Sequence, residues 1–201
     1  MVNCWVRVGM KRILVRHPFL FFLILVSLPA CAGTTTNLYR DPNMDFGTIQ
    51  SIAVIPFVNL SKDSLAGERV RDVFIDSLLA TGGIYAVPPG EVARGIARAE
   101  IQNPAACSSE EIVKLGGILK VQAVMTGVVR EYGEIRSGST IADSISLSLQ
   151  MIETQTGRVV WTTSATRGGV TIWHRLFGGG GRPMNQITQK AVNEVIDKLF
   201  K

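Results

Sequence analysis

Asp143-Ser144-Ile145-Ser146-Leu147-Ser148-Leu149-Gln150-Met151-Ile152-Glu153-Thr154 alternates in character along most of its length. Successive strand residues point to opposite sides of a sheet, so Ile145, Leu147, Leu149 and Met151 share one face. Ser144, Ser146, Ser148 and Gln150 share the other. The stretch predicts a strand with one buried face and one face that is polar and nearly free of charge. Gln155-Thr156-Gly157 then turns the chain, and residues 158–166 return as a second strand, which makes an antiparallel hairpin.

Working outward, two further runs have a different pattern. Ile52-Ala53-Val54-Ile55 and Ala123-Val124-Met125 are continuously apolar, which predicts strands covered on both faces. Pro56 ends the first of them or leaves a free edge there. Between these runs the period changes to that of helices. Residues 65–81 place Ala66, Val70, Val73 or Phe74, Ser77 or Leu78, and Thr81 on one side, with Gly82-Gly83 as the stop. Ser61, Asp63 or Ser64 could cap that helix. A short strand at 84–87, a turn at Pro88-Pro89-Gly90 and a helix over 91–102 follow, with Val92, Ile96 and Ala99 inward. Ser108 and Glu111 match a capping box, and that helix is expected to stop at Gly116-Gly117. The reading continues with a strand over 120–132, a polar loop over 133–142 and an irregular segment over 168–183. A terminal amphipathic helix covers 184–200, with Ile187, Ala191, Val195 and Leu199 in line. The order β-α-β-α-α-β-β-β-α argues for an α/β (α+β) fold with a mixed sheet and helices packed on it.

The N-terminus reads differently. Lys11, Arg12 and Arg16 precede an apolar run over 19–26, and small residues follow, the layout of a secretory signal peptide. The run is about ten residues, whereas a membrane span needs about twenty. Leu28-Pro29-Ala30-Cys31 resembles the lipobox of bacterial lipoproteins, which are cut before the cysteine and acylated on it. The expected organisation is a signal peptide over 1–30, a lipid anchor on Cys31 with a tether over 31–47, and a single domain over 48–201. Sixteen extended tether residues would span about 55 Å.

Removing the leader removes Arg7, Lys11, Arg12 and Arg16 and no acid, so basic and acidic residues are nearly balanced in the rest. The basic balance of the whole chain therefore gives no support for nucleic-acid binding. With Cys4 in the leader and Cys31 lipidated, Cys107 has no partner, and the domain must be held by its core alone. The role of a buried small apolar residue suits Cys107 better than that of a reactive thiol.

Several stretches together carry a family resemblance. Ile52-Ala53-Val54-Ile55-Pro56-Phe57-Val58-Asn59 resembles the opening strand of the CsgG-like lipoproteins. Residues 74–79 followed by Tyr85-Ala86-Val87 are similar to their first helix and next strand. Val121-Gln122-Ala123-Val124-Met125-Thr126-Gly127-Val128-Val129 and the hairpin from Leu147 to Trp161 are similar to later strands. That family of Gram-negative envelope lipoproteins includes the curli channel CsgG, PelC, LpoB and relatives of the TolB N-terminal domain. The resemblance implies an outer-membrane lipoprotein facing the periplasm, non-catalytic, that binds partners or forms rings. Ala32 after the cysteine fits outer-membrane sorting in that group. The loops over 133–142 and 168–183 are too short for the membrane hairpins of the curli channel.

The most unusual stretch is Trp173-His174-Arg175-Leu176-Phe177-Gly178-Gly179-Gly180-Gly181-Arg182. Its aromatics and flanking arginines suit a loop that touches lipid headgroups, a neighbouring copy or a partner, or else one that tucks under the sheet. Its four glycines precede a helix, but Arg182-Pro183 stands where a phosphate loop needs Gly-Lys-Ser/Thr. His174 is the one histidine after the leader, and no Gly-x-Ser-x-Gly elbow occurs. Asp63, Asp72, Asp76, Asp143 and Glu153 are scattered acids, and a hydrolase would need two of them to converge. No cofactor or metal is expected. The leading expectation is a lipid-anchored assembly or export (secretion) component, oligomeric in form. The alternatives are a lipoprotein activator of a cell-wall synthase and, last, an envelope hydrolase.

Overall fold

The computed structural model describes residues 37–137, 140–168 and 182–201. They form one mixed sheet with helices on it, as the pattern predicts. The strands are β1 (Leu38–Arg40), β2 (Ser51–Val54), β3 (Val58–Asn59), β4 (Tyr85–Ala86), β5 (Ala123–Ser137), β6 (Thr140–Glu153) and β7 (Val159–Gly168). The helices are α1 (Ala66–Ala80), α2 (Pro89–Ala99), α3 (Ser109–Leu119) and α4 (Met184–Leu199). The sheet order is β1-β7-β6-β5-β2-β4, with β3 also on β5. Pairings of β2 with β4 and β5, and of β3 with β5, are parallel. Those among β5, β6, β7 and β1 are antiparallel.

The two sheet faces are covered unequally. On one face α1 and α4 bury Val70, Phe74, Leu78, Ala191, Val195 and Leu199 against Ile52, Met125, Ile145, Leu147, Leu149, Met151 and Trp161. The alternating strand therefore buries its apolar side here, each such side chain contributing about 1.5–3 kcal/mol. On the other face α2 and α3 bury Val92, Ile112 and Leu115 against Ala53, Ile55 and Val124. This second core involves β2 and the start of β5, which is why those runs are apolar on both sides. Close packing of α3 needs Gly116, where a Cβ would fall 2.3 Å from the Cβ of Thr154. Thr154 in turn donates its hydroxyl to the Val121 carbonyl at 2.7 Å.

Polar contacts tie α4 to the far edge of the sheet. Arg40 lies over the Phe46 ring at 3.8 Å and donates to the Leu199 carbonyl at 3.0 Å. Lys198 donates to the Ser164 carbonyl at 3.0 Å and pairs with Glu194, which also pairs with Arg167. These contacts satisfy carbonyls and cations near the last turn of the helix.

Several local expectations are corrected. The predicted polar loop over 133–142 is mostly strand: β5 and β6 continue as a ribbon from Glu131↔Ser146 to Ser137↔Thr140. Its charged residues, Glu131, Glu134, Arg136 and Asp143, interrupt the alternation, so the period is blurred. The helix expected to stop at Gly116-Gly117 runs on to Leu119, because Gly116 serves packing and Lys120 takes the left-handed conformation at φ 55°. The α1 cap is Leu65, with no side-chain capping bond; Asp63 instead accepts from the Leu65 amide at 2.9 Å and pairs with Arg69 at 2.7 Å. Thr81, expected inward, is exposed.

Part of the stretch expected to be a tether lies on the sheet edge. Leu38–Arg40 pairs with β7, the Asp41 amide donates to the Val160 carbonyl at 2.8 Å, and Asp41 is buried. Residues 38–47 thus belong to the folded body. Their polar and turn composition hid a three-residue edge strand, too short to show a period.

Candidate functional site

The unequal cover leaves half of one sheet face bare. Among the described residues the second core reaches β6 only at its end, at Ile152, and includes no residue of β7, β1 or β5 beyond Val124. The side chains presented there are Tyr39, Val128, Arg130, Ser146, Ser148, Gln150, Thr162, Ser164 and Thr166. This is the serine face that the alternation predicts, with one revision: Ser144 is buried, while Ser146 and Ser148 are half-buried. The hydroxyls pair across strands, Thr166 donating to Ser146 at 3.2 Å. Leu38 and Tyr39 on the edge strand are 41% and 45% exposed.

Among the described residues Arg130 is the one cation in the middle of this face. A register shift between Val129 and Glu131 marks a bulge at Arg130. Its guanidinium donates to the Ser148 hydroxyl. Among the described residues no carboxylate pairs with it. Three recesses meet at this side chain. One, about 230 Å³, lies under the connection between α2 and α3. A second, about 350 Å³, is bounded by Asn37, Tyr39 and Thr162. A third, about 550 Å³, runs between Leu60–Asp63 and the outer part of β5.

Cys107 stands on the wall of the first recess and donates to the Pro104 carbonyl at 3.4 Å. Burial, and then the nearby charge of Glu111, push its thiol above the usual range. The connection that carries it is fixed at its end by the capping box: Ser108 accepts from the Glu111 amide at 3.2 Å, and Glu111 accepts from the Ser108 amide at 2.7 Å.

The other sequence candidates are placed less centrally. Cys31, Trp173, His174, Arg175, Leu176 and Phe177 lie outside the described residues, and Arg182 is exposed just before α4. The five scattered acids do not meet in one cleft. Asp63 is engaged by Arg69, Glu153 accepts from the Thr156 hydroxyl at 2.6 Å, and Asp143 sits opposite Glu134 on the ribbon. No group of three or more metal-ligating side chains occurs among the described residues, and no described helix is long and apolar enough to cross a membrane. Sequence reading missed Arg130, Tyr39 and the recess beside Cys107. The available signal was an arginine of the same parity as Thr126 and Val128, at the point where the strand turns from neutral to charged.

No protein-family model matches the sequence, and no curated protein matches it. Solved structures do share the fold. A single-substitution variant of the PelC dodecamer from Paraburkholderia phytofirmans has a TM-score of 0.56 at 16% identity, covering 82% of this chain and 96% of that one. The PelC dodecamer in a second crystal form gives 0.55 at 15% identity, with 82% and 97% covered. Lipoprotein GNA1162 from Neisseria meningitidis gives 0.52 at 20% identity, with 74% and 99% covered. At these identities the likeness is one of fold. It meets the family resemblance at PelC, and it agrees with a mixed sheet that carries its helices unequally.

Proposed function

We propose that this chain is a lipid-anchored envelope protein that works without catalysis, as an assembly or export component built from several copies arranged in a ring. The bare half-sheet carries the proposal. A surface of hydroxyls, one amide and one arginine has few charges to desolvate, and depletion of charge is the compositional mark of an interface centre. In a ring each copy presents two different surfaces to its neighbours. The bare face supplies one of them. The dodecameric state of PelC, a protein of the same fold, supports the reading.

Cys31 and the apolar leader before it support an anchor in the outer membrane, on the periplasmic side. β1 starts at Leu38, so only about six residues separate Cys31 from the folded body, a reach of about 20 Å. That short reach favours a body held close under the membrane over a regulator that spans the periplasm to a cell-wall synthase. The anchor is tested by labelling with a fatty-acid analogue: Cys31→Ser removes the label if the reading is right, and surviving label refutes it. The ring is tested by the molar mass of residues 32–201 in solution, where a discrete oligomer is expected and a monomer at all concentrations counts against it.

A further inference from the structure

The recess beside Cys107 has a chemistry of its own. Its lining is mixed: Val58, Val128 and Ile152 are half-buried beside Thr126, while Ile55 and Ile112 are fully buried. Its mouth carries Arg130, Ser148 and Gln150. The volume, about 230 Å³, equals roughly eight waters at about 30 Å³ each, below the size of ordinary drug-sized sites. The three half-buried aliphatic side chains gain nothing from ordered water, whereas a short hydrocarbon chain would cover them. Arg130 has five N–H donors in a planar fork, and the Ser148 hydroxyl takes one of them. A planar fork without a carboxylate partner, held flat by a neutral hydroxyl, matches a planar two-oxygen anion.

We propose that this recess binds a small aliphatic carboxylate. Its chain lies on Val58, Val128 and Ile152, its carboxylate meets the Arg130 guanidinium, and the Gln150 amide is placed to donate a further hydrogen bond. Two sources share this chemistry: a free short-chain fatty acid and the C-terminal residue of a polypeptide that ends in an aliphatic side chain. Arg130, Ser148 and Gln150 also belong to the bare face on which the ring reading rests, so occupancy is measured with the molar mass recorded at the same concentration.

The test uses residues 32–201, which contain every residue of both cores. Cys107 is the one thiol of that chain, and it stands on the recess wall. Its rate of reaction with a disulfide reagent is measured against rising octanoate, with equilibrium dialysis of labelled octanoate as a second readout. Saturable binding with slowed labelling is expected. Octanol should protect far less. Arg130→Gln should raise the half-saturating octanoate concentration about tenfold, the loss expected for one charge-assisted contact, with the melting temperature unchanged. Val128→Trp should fill the recess and abolish binding. A peptide ending in leucine, as acid and as amide, separates the sources: protection by the acid alone assigns a chain end, and protection by octanoate alone assigns a free acid. The proposal is overturned if dialysis detects neither octanoate nor the peptide acid bound, if octanol binds as well as octanoate, or if Arg130→Gln changes nothing.

Discussion

The sheet has two halves that solve the same problem differently. Around β2 and the start of β5, helices lie on both faces and the side chains of both faces belong to a core. Around β6, β7 and β1, helices α1 and α4 cover one face, and the other presents Ser148, Gln150 and Thr162. The first half needs apolar runs, and the second needs alternation. The bare half teaches where function can reside. The covered half cannot change without loss of the fold, whereas the bare face is free to be specified by a partner.

The largest expected effect contrasts one acid in each half. Ala53→Asp puts a carboxylate into a fully buried site and should unfold the domain or cost more than about 4 kcal/mol. Thr162→Asp, on the bare face opposite Tyr39, should stay within about 0.5 kcal/mol in urea titration. Equal losses at the two sites would erase the distinction between the halves.

Phe74→Ala comes next. Phe74 is fully buried between α1 and the sheet and packs on Phe57 with ring centroids 6.3 Å apart. Its loss should cost about 3–5 kcal/mol, read by denaturant unfolding. Thr154→Ala tests the seam where the second core ends. It removes hydroxyl bonds to the Val121 and Gln122 carbonyls and should cost about 1–3 kcal/mol. Ser108→Ala removes the α3 cap and should cost about 1 kcal/mol. The smallest effect is on Cys107, at the boundary between the halves. Its raised pKa keeps the thiol protonated at neutral pH, so labelling should accelerate only as pH climbs past the ordinary thiol range. Glu111→Gln removes the neighbouring charge and should move that rise to lower pH, measured as labelling rate against pH.

Much of this contrast was legible in the residues. Ile145 to Met151 identified the half-covered strand, and Ile52 to Ile55 the fully covered one, because burial on one or two faces leaves a direct mark on period. Ser108 and Glu111 marked a helix start because their reciprocal bonds need that spacing. The ribbon over 131–143 escaped because Glu131, Glu134, Arg136 and Asp143 interrupt its alternation. β1 escaped because three residues cannot establish one, and its pairing with β7 is a long-range contact. The bare face was visible as an uncharged row, but its bareness was not: whether a helix covers a polar face depends on where α2 and α3 dock. Arg130 and Cys107 come together only through that docking, so their recess has no local signature.

The most direct test of the bare face as a working surface is the molar mass of residues 32–201 by light scattering, alone and as Thr162→Asp. The account predicts a discrete oligomer that Thr162→Asp converts to a monomer with an unchanged melting temperature. An oligomer indifferent to Thr162→Asp, or a wild-type chain that stays monomeric at every concentration, would contradict it.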